Sequence, residues 1–244
     1  MRVEVKSNHP VALITGAARR IGAVIARRLH QEGYEVIIHY RHSEKEAMAL
    51  CDSLNEIRDD SACCLPADFN DLSAIKELAQ KTIEFKGRVD VLVNNASAFM
   101  KTTLGETTEE EWNQLMNSQL KGPFFLSQAL VSILKMHCGV IVNLTDAHLQ
   151  DSLKDYPVYS MAKAGLTMMT YALAKELAPA IRVNAVALGP TLWPEGENLL
   201  DETTKARLIE KTLLKRKPTL EEIADTVLYL IRSQYLTGMI IKMQ

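Results

Sequence analysis

The chain has 244 residues, 47% hydrophobic and 24% charged, which supplies a sizeable core and argues against disorder. Its 28 Lys and Arg nearly balance 30 Asp and Glu, which excludes a whole-chain nucleic-acid footprint or a polybasic membrane patch. No apolar run approaches the ~20 residues that span a bilayer. The start, MRVEVKSNHPVALITG, has no signal-peptide pattern. Cys51, Cys63, Cys64 and Cys138 lack zinc spacing, so no metal site is expected; they read as buried free thiols of a cytoplasmic protein.

Short apolar, β-branched runs alternate with amphipathic segments. The expected order is strand Val11–Thr15, helix Ile21–Glu32, strand Glu35–Tyr40, helix Ser43–Arg58, strand Ala62–Pro66 and helix Asp71–Phe85. Strand Val89–Asn94, helix Glu109–Met136, strand Gly139–Leu144, helix Pro157–Leu177, strand Ile181–Ala187, helix Leu220–Ser233 and strand Gly238–Met243 follow. Strands apolar on both faces suit a parallel sheet covered by helices. The alternation implies right-handed βαβ units and an α/β fold. The expectation is one Rossmann-type domain over residues 1–244, a doubly wound parallel sheet of about seven strands with helices on both faces. The rhythm breaks at Leu188–Lys217, where GPTLWPEGENLL is rich in Pro and Gly. An irregular insertion of that length reads as a substrate loop or lid.

Four stretches carry chemistry. VALITGAARRIG is strand, glycine turn and helix, with backbone N–H groups at a helix N-terminus facing a phosphate. Gly16 permits the tight turn, and Gly22 lets the helix approach the strand. Arg20 stands where such turns usually hold a second glycine. The second strand ends HYRHS, with no carboxylate at the tip to bind a ribose 2′-hydroxyl. Arg41, His42 and Ser43 instead offer donors to a 2′-phosphate, with Arg19 close by, so the expected cofactor is NADPH. NNAS (Asn94–Ser97) ends the fourth strand, at the carboxyl edge where open sheets bind ligands. In YSMAK, Tyr159 and Lys163 are one helical turn apart and share a face. An ammonium beside the phenol would favour phenolate and free its proton nearer neutrality.

TGxxxxxG, NNA, YxxxK and a GP after the sixth strand, in this order, resemble the short-chain dehydrogenase/reductase family over essentially the whole chain. Within it, TGAARRIG, HYRHS, NNASAF and Asp146 ahead of Tyr159 resemble the pteridine reductases, which carry an arginine in the turn and Asp in place of a catalytic Ser. The resemblance implies that Asp146, Tyr159 and Lys163 are catalytic. It implies cofactor contacts from Gly16, Arg19, Arg20, Ile21, Tyr40, Arg41, His42, Ser43, Asp68, Asn95, Ala96, Tyr159, Lys163 and Gly189, with Asp68 reaching the adenine amino group. Substrate contacts would come from Arg20, Ser97, Phe99, Asp146, Tyr159 and Trp193, with Phe99 stacking on a flat heterocycle and Trp193 closing over it. Arg20 would reach both the pyrophosphate and the substrate.

An ionised Asp146 only accepts hydrogen bonds, so it suits a C=N substrate better than a ketone. It can pass a proton through Tyr159 or hold an amino group, unless it caps a loop and Thr145 does the serine's work. The implied activity is NADPH-dependent reduction of dihydropteridines, or of dihydrofolate, by a homotetramer. Rival readings are a carbonyl reductase of 3-oxoacyl thioesters and a non-catalytic NADP-binding sensor. Two features depart from the family: Gln119 stands where members have a relay Asn, although Asn117 is close, and LTGMIIKMQ stands where members continue V-D-G-G. Tyr156 and His148 adjoin the site in sequence, His148 as a polar loop residue.

Overall fold

The computed structural model describes residues 7–148, 154–193 and 201–244. Its strands are β1 (Val11–Ile14), β2 (Glu35–Tyr40), β3 (Ala62–Pro66), β4 (Val91–Asn94), β5 (Val140–Asp146), β6 (Arg182–Leu188) and β7 (Ile240–Met243). They form one parallel sheet in the order β3-β2-β1-β4-β5-β6-β7. The order reverses direction between β1 and β4, and ligands of open α/β sheets bind outside such a switch point.

Alternation along each strand loads both faces. Ala12 and Ile14 of β1 face one buried cluster with α1 (Arg20–Gln31), α2 (Glu44–Asn55) and α8 (Leu220–Arg232). Val11 and Leu13 face the other, with α3 (Leu72–Lys86), α5 (Gly122–Met136) and α6 (Pro157–Leu177). The α/β, doubly wound expectation is therefore met, with element ends shifted by a few residues.

Three expectations need correction. Glu109–Met136 is not one α-helix but α4 (Glu109–Met116), a π-helical turn (Asn117–Lys121) and α5. Pro123 has no N–H, so the regular α ladder cannot run through it; instead the Gly122 N–H reaches back to the Asn117 carbonyl. The turn packs Gly122 so tightly on Phe69 that a Cβ there would lie 2.5 Å from the ring. The Leu188–Lys217 insertion is not wholly irregular. It contains α7 (Glu202–Glu210), whose first turn is capped by the Asp201 side chain accepting from the Thr204 N–H. Residues 194–200 of that insertion lie outside the described residues. Finally, of the four cysteines only Cys51 is buried; Cys63 and Cys64 are half-buried, and Cys138, in the turn before β5, is exposed.

At the carboxyl edge, β1 and β4 are clamped. Thr15 Oγ1 accepts the N–H groups of Asn95 and Ala96, each at 2.9 Å. Asn95 Nδ2 donates back to the carbonyls of Thr15 (2.8 Å) and Gly16 (3.0 Å). Gly16 has φ +62°, and a Cβ on it would sit 2.9 Å from Ala96 Cα. Gly22 is tighter still: a Cβ would lie 2.5 Å from the Gly16 carbonyl oxygen and 2.6 Å from Asn95 Nδ2. Gly22→Ala is therefore expected to overpack this crossing, at a cost of about 1–3 kcal/mol. Thermal melts should show the midpoint falling by roughly 2–4 °C for each kcal/mol; an unchanged midpoint would show that the helix can shift without loss.

Candidate active site

The site assembles along the carboxyl ends of the strands. Gly16, Arg19, Arg20 and Ile21 follow β1; Ile21 packs on the core while Arg19 and Arg20 are exposed. The first turn of a helix leaves backbone N–H groups without partners inside the helix, which suits an anion. Arg20 has φ +55°, a left-handed conformation that favours glycine. The backbone shape of the usual glycine persists, and the arginine occupies it at a strain of roughly 1–2 kcal/mol. Its Nη2 donates to the Trp193 carbonyl at 3.0 Å, joining the glycine turn to the segment after β6.

Beside this turn lies the end of β2. Tyr40 is buried, and its hydroxyl donates to Glu44 at 3.3 Å. Arg41 and His42 are exposed, and Ser43 immediately precedes α2. Arg41 Nε lies 3.1 Å from Asp68 Oδ2, so two residues expected to touch different parts of the cofactor hold each other. Arg19 lies 4.0 Å from Glu46. The cationic groups, the close glycine crossing and the helix N-terminus fit the pyrophosphate of a dinucleotide. Gly189 belongs to the same edge, donating its N–H to Met243 at 2.8 Å.

The chemical centre lies between β5 and α6. The Tyr159 hydroxyl donates to Asp146 Oδ2 at 2.9 Å. Asp146 Oδ1 also accepts the His148 backbone N–H at 2.7 Å, with His148 Nδ1 at 3.3 Å. Lys163 is buried, and its ammonium donates to the Leu144 carbonyl at 2.9 Å, 5.9 Å from the Tyr159 ring centre. Burial pushes the Asp146 carboxyl up, but hydrogen bonds from His148 and Tyr159 outweigh it and leave the group below its usual value. Burial first, then the Asp146 charge, drive the Tyr159 phenol well above its usual value. Burial lowers Lys163 to about 8, against the opposing pull of Asp146.

These signs change the sequence-based account. The carboxylate keeps the Tyr159 proton on, where an ammonium was expected to loosen it. Asp146 accepts from the Tyr159 hydroxyl. Thr145 Oγ1 is buried without a hydrogen-bond partner, and Thr145 alternates with Asp146 along β5.

Phe99 stacks on Tyr156 (4.5 Å, 18°) and meets Tyr159 edge-on at 4.9 Å, forming an aromatic wall beside the phenol. Ser97, exposed after β4, donates to Gln119 Oε1 at 2.8 Å. Gln119 is fully buried in the π-helical turn, whereas Asn117 bonds Asn70 instead. The amide facing the site is therefore Gln119. Trp193 offers its carbonyl to Arg20, and its ring lies under the Lys217 ammonium at 4.8 Å. Sequence reasoning passed over the Thr15 clamp and the contact between His148 and Asp146. The Thr of TG was a legible signal for the first; two residues of spacing gave none for the second. Among the described residues no cluster could hold a metal ion, and no helix is long and apolar enough to cross a membrane.

Comparison with known proteins agrees with this architecture. Residues 16–243 match the family described as Enoyl-(Acyl carrier protein) reductase. The chain is 31% identical to dihydromonapterin reductase of Klebsiella pneumoniae subsp. pneumoniae over 229 residues, 93% of this chain and 91% of that protein. It is 33% identical to pteridine reductase 1 of Leishmania tarentolae over 274 residues, covering 96% and 94%. It is also 33% identical to a 3-oxoacyl-(acyl-carrier-protein) reductase of Staphylococcus epidermidis over 231 residues, covering 93% and 94%. A glycine turn at the β1–β4 switch point, Tyr159 and a buried Lys163 one turn apart on α6, and these matches along nearly the whole chain place it in the short-chain dehydrogenase/reductase family, oxidoreductases that work with a nicotinamide cofactor.

Proposed function

We propose that the chain is an NADPH-dependent reductase of pteridines, taking 7,8-dihydropteridines, and dihydrofolate as a further candidate, to their tetrahydro forms. The observation that carries this reading is the Tyr159 hydroxyl donating to the Asp146 carboxylate at 2.9 Å. Reducing C=N needs hydride at carbon and a proton at nitrogen; the bound nicotinamide supplies the hydride. Tyr159, held protonated through neutrality, gives the proton to the substrate nitrogen. Asp146 orients that O–H and accepts from an N–H of the substrate. Lys163, still charged below about pH 8, offsets the phenolate left behind. Phe99 offers a flat apolar face for the heterocycle, and Ser97 and Arg20 offer polar contacts at its rim. Gly16, Arg19, Arg20, Ile21, Asn95, Ala96 and Gly189 would hold the cofactor's pyrophosphate and nicotinamide ends; Tyr40, Arg41, His42, Ser43 and Asp68 would hold the adenosine 2′-phosphate end. The likeness to the Klebsiella and Leishmania proteins, each named for a pterin substrate, supports the same reading.

A second reading has support from the equally similar Staphylococcus protein: reduction of a 3-oxoacyl thioester. Asp146 disfavours it, because a carboxylate has no proton to donate to a ketone and repels the developing alkoxide. We further propose a cytoplasmic homotetramer, with residues 188–217 acting as a lid. Exposed Phe124, Met136, Met161, Met168 and Tyr171 on α5 and α6 would pair across two-fold axes.

NADPH oxidation against dihydropterins, dihydrofolate and an acetoacetyl thioester tests the substrate. Dihydropterin turnover should dominate; equal efficiency on the thioester would overturn the pteridine reading. Tyr159→Phe should lower turnover by about 10² or more with cofactor affinity little changed.

The pH profile of kcat/KM should hold through neutrality and fall above about pH 8 as Lys163 loses its proton. The Asp146 charge supports that proton, so Asp146→Asn should move the alkaline limb to lower pH. An unmoved limb would show that another group titrates there.

NADPH should bind at least roughly tenfold tighter than NADH, about 1.4 kcal/mol. Arg41→Ala should erase most of that difference in a fluorescence titration; a retained preference would assign the 2′-phosphate to other residues.

A further inference from the structure

His39 lies in β2, just before the exposed cationic tip. Its side chain is buried beneath the glycine turn, with the whole residue 3% exposed. Nδ1 accepts the Gly16 N–H at 3.0 Å. Nε2 lies 3.1 Å from the Ala67 carbonyl oxygen. A backbone N–H can only donate and a carbonyl can only accept. The ring is therefore neutral, bare at Nδ1 and protonated at Nε2. It stacks on Phe69 at 4.7 Å and 6°. Burial lowers its pKa to about 4, so it stays neutral at ordinary pH.

The backbone around His39 repeats the connection. The His39 carbonyl accepts the Ala17 N–H at 2.9 Å, and the Tyr40 carbonyl accepts the Ala67 N–H at 3.0 Å. One residue thus joins the turn after β1 to the first residue after β3. Ala67 is followed by Asp68, the partner of Arg41. A leucine would fill similar space and leave both backbone groups unpaired. The Thr15–Asn95 clamp would still fasten the turn to β4. Removal of the imidazole therefore loosens the Gly16 peptide and the Ala67–Asp68 peptide relative to each other, without removing the sheet's own contacts.

We propose that His39 is a positioning residue for the dinucleotide: its two ring nitrogens set the spacing between the phosphate-binding turn at Gly16 and the adenosine-binding end at Ala67–Asp68. This rests on the reading that a nicotinamide dinucleotide binds along this edge, and not on the identity of the second substrate.

The test measures NADPH and NADH dissociation constants by fluorescence titration, and kcat and KM separately, for the intact chain, His39→Leu and His39→Asn. The leucine variant loses both hydrogen bonds, and the asparagine variant keeps an acceptor for Gly16. His39→Leu should weaken both dinucleotides by the same factor, roughly 10- to 100-fold. Its kcat at saturating NADPH and its KM for the second substrate should stay within about threefold of wild type, a split that general loss of packing would not produce. His39→Asn should fall between, and it carries the test if the leucine variant does not fold. Ring 15N spectra of the wild type between pH 6 and 8 should show the neutral Nε2–H form. A charged ring, an Nδ1–H form, or folded variants that bind NADPH as tightly as wild type would overturn the inference. A wild-type chain that binds neither dinucleotide would overturn the cofactor reading and this inference with it.

Discussion

The site depends on one hydroxyl. Thr15 Oγ1 accepts from Asn95 and Ala96 and lies 3.3 Å from the Val93 carbonyl as donor, so a single buried group ties the end of β1 to the end of β4. Strand pairing alone brings Ile14 beside Val93 and then stops. Beyond that point the backbone groups of both chains must be satisfied in another way. The Thr15–Asn95 exchange does so, and it makes the closest backbone crossing in the site possible. Gly16 and Gly22 are required because the crossing leaves no room for a Cβ. The helix N-terminus, the glycine turn and the residues after β4 then share one edge.

Electrostatics at the chemical centre follow from burial. Lys163 is buried and Tyr159 half-buried, and desolvation drives both toward their neutral forms. Asp146 is the exception, because hydrogen bonds from His148 and Tyr159 keep it ionised. Its charge then acts on both neighbours in the same direction, holding a proton on the phenol and on the ammonium. A serine at this position would offer a proton and no charge. A carboxylate at this position accepts hydrogen bonds where a serine could also donate one.

Arg20 shows how the turn and the segment after β6 communicate. Its backbone keeps the left-handed shape that glycine adopts freely, and that strain persists because the side chain makes a contact glycine cannot. The guanidinium lies at a helix start, where a positive charge opposes the helix dipole. A bound phosphate would reverse that sign.

The sequence by itself determined the layers and the places where chemistry collects. Alternating apolar runs and amphipathic helices are local properties, so the strands, their parallel pairing and the doubly wound sheet were legible from Val11 to Met243. The TG turn, NNAS and YSMAK were legible because each sits where a strand ends or a helix face repeats. Only the tertiary structure decided how those places meet. Arg41 with Asp68, Arg20 with Trp193, His39 with Gly16 and Ala67, and Ser97 with Gln119 are separated by tens of residues or more. The π-helical turn that sets Gln119 rather than Asn117 against Ser97 puts an extra residue into the helix, which periodicity does not report. The sign of the Tyr159 shift needed the distance to Asp146 and the depth of burial. Spacing places two side chains on one face, but hydrogen-bond direction and desolvation depend on what every other element packs against them.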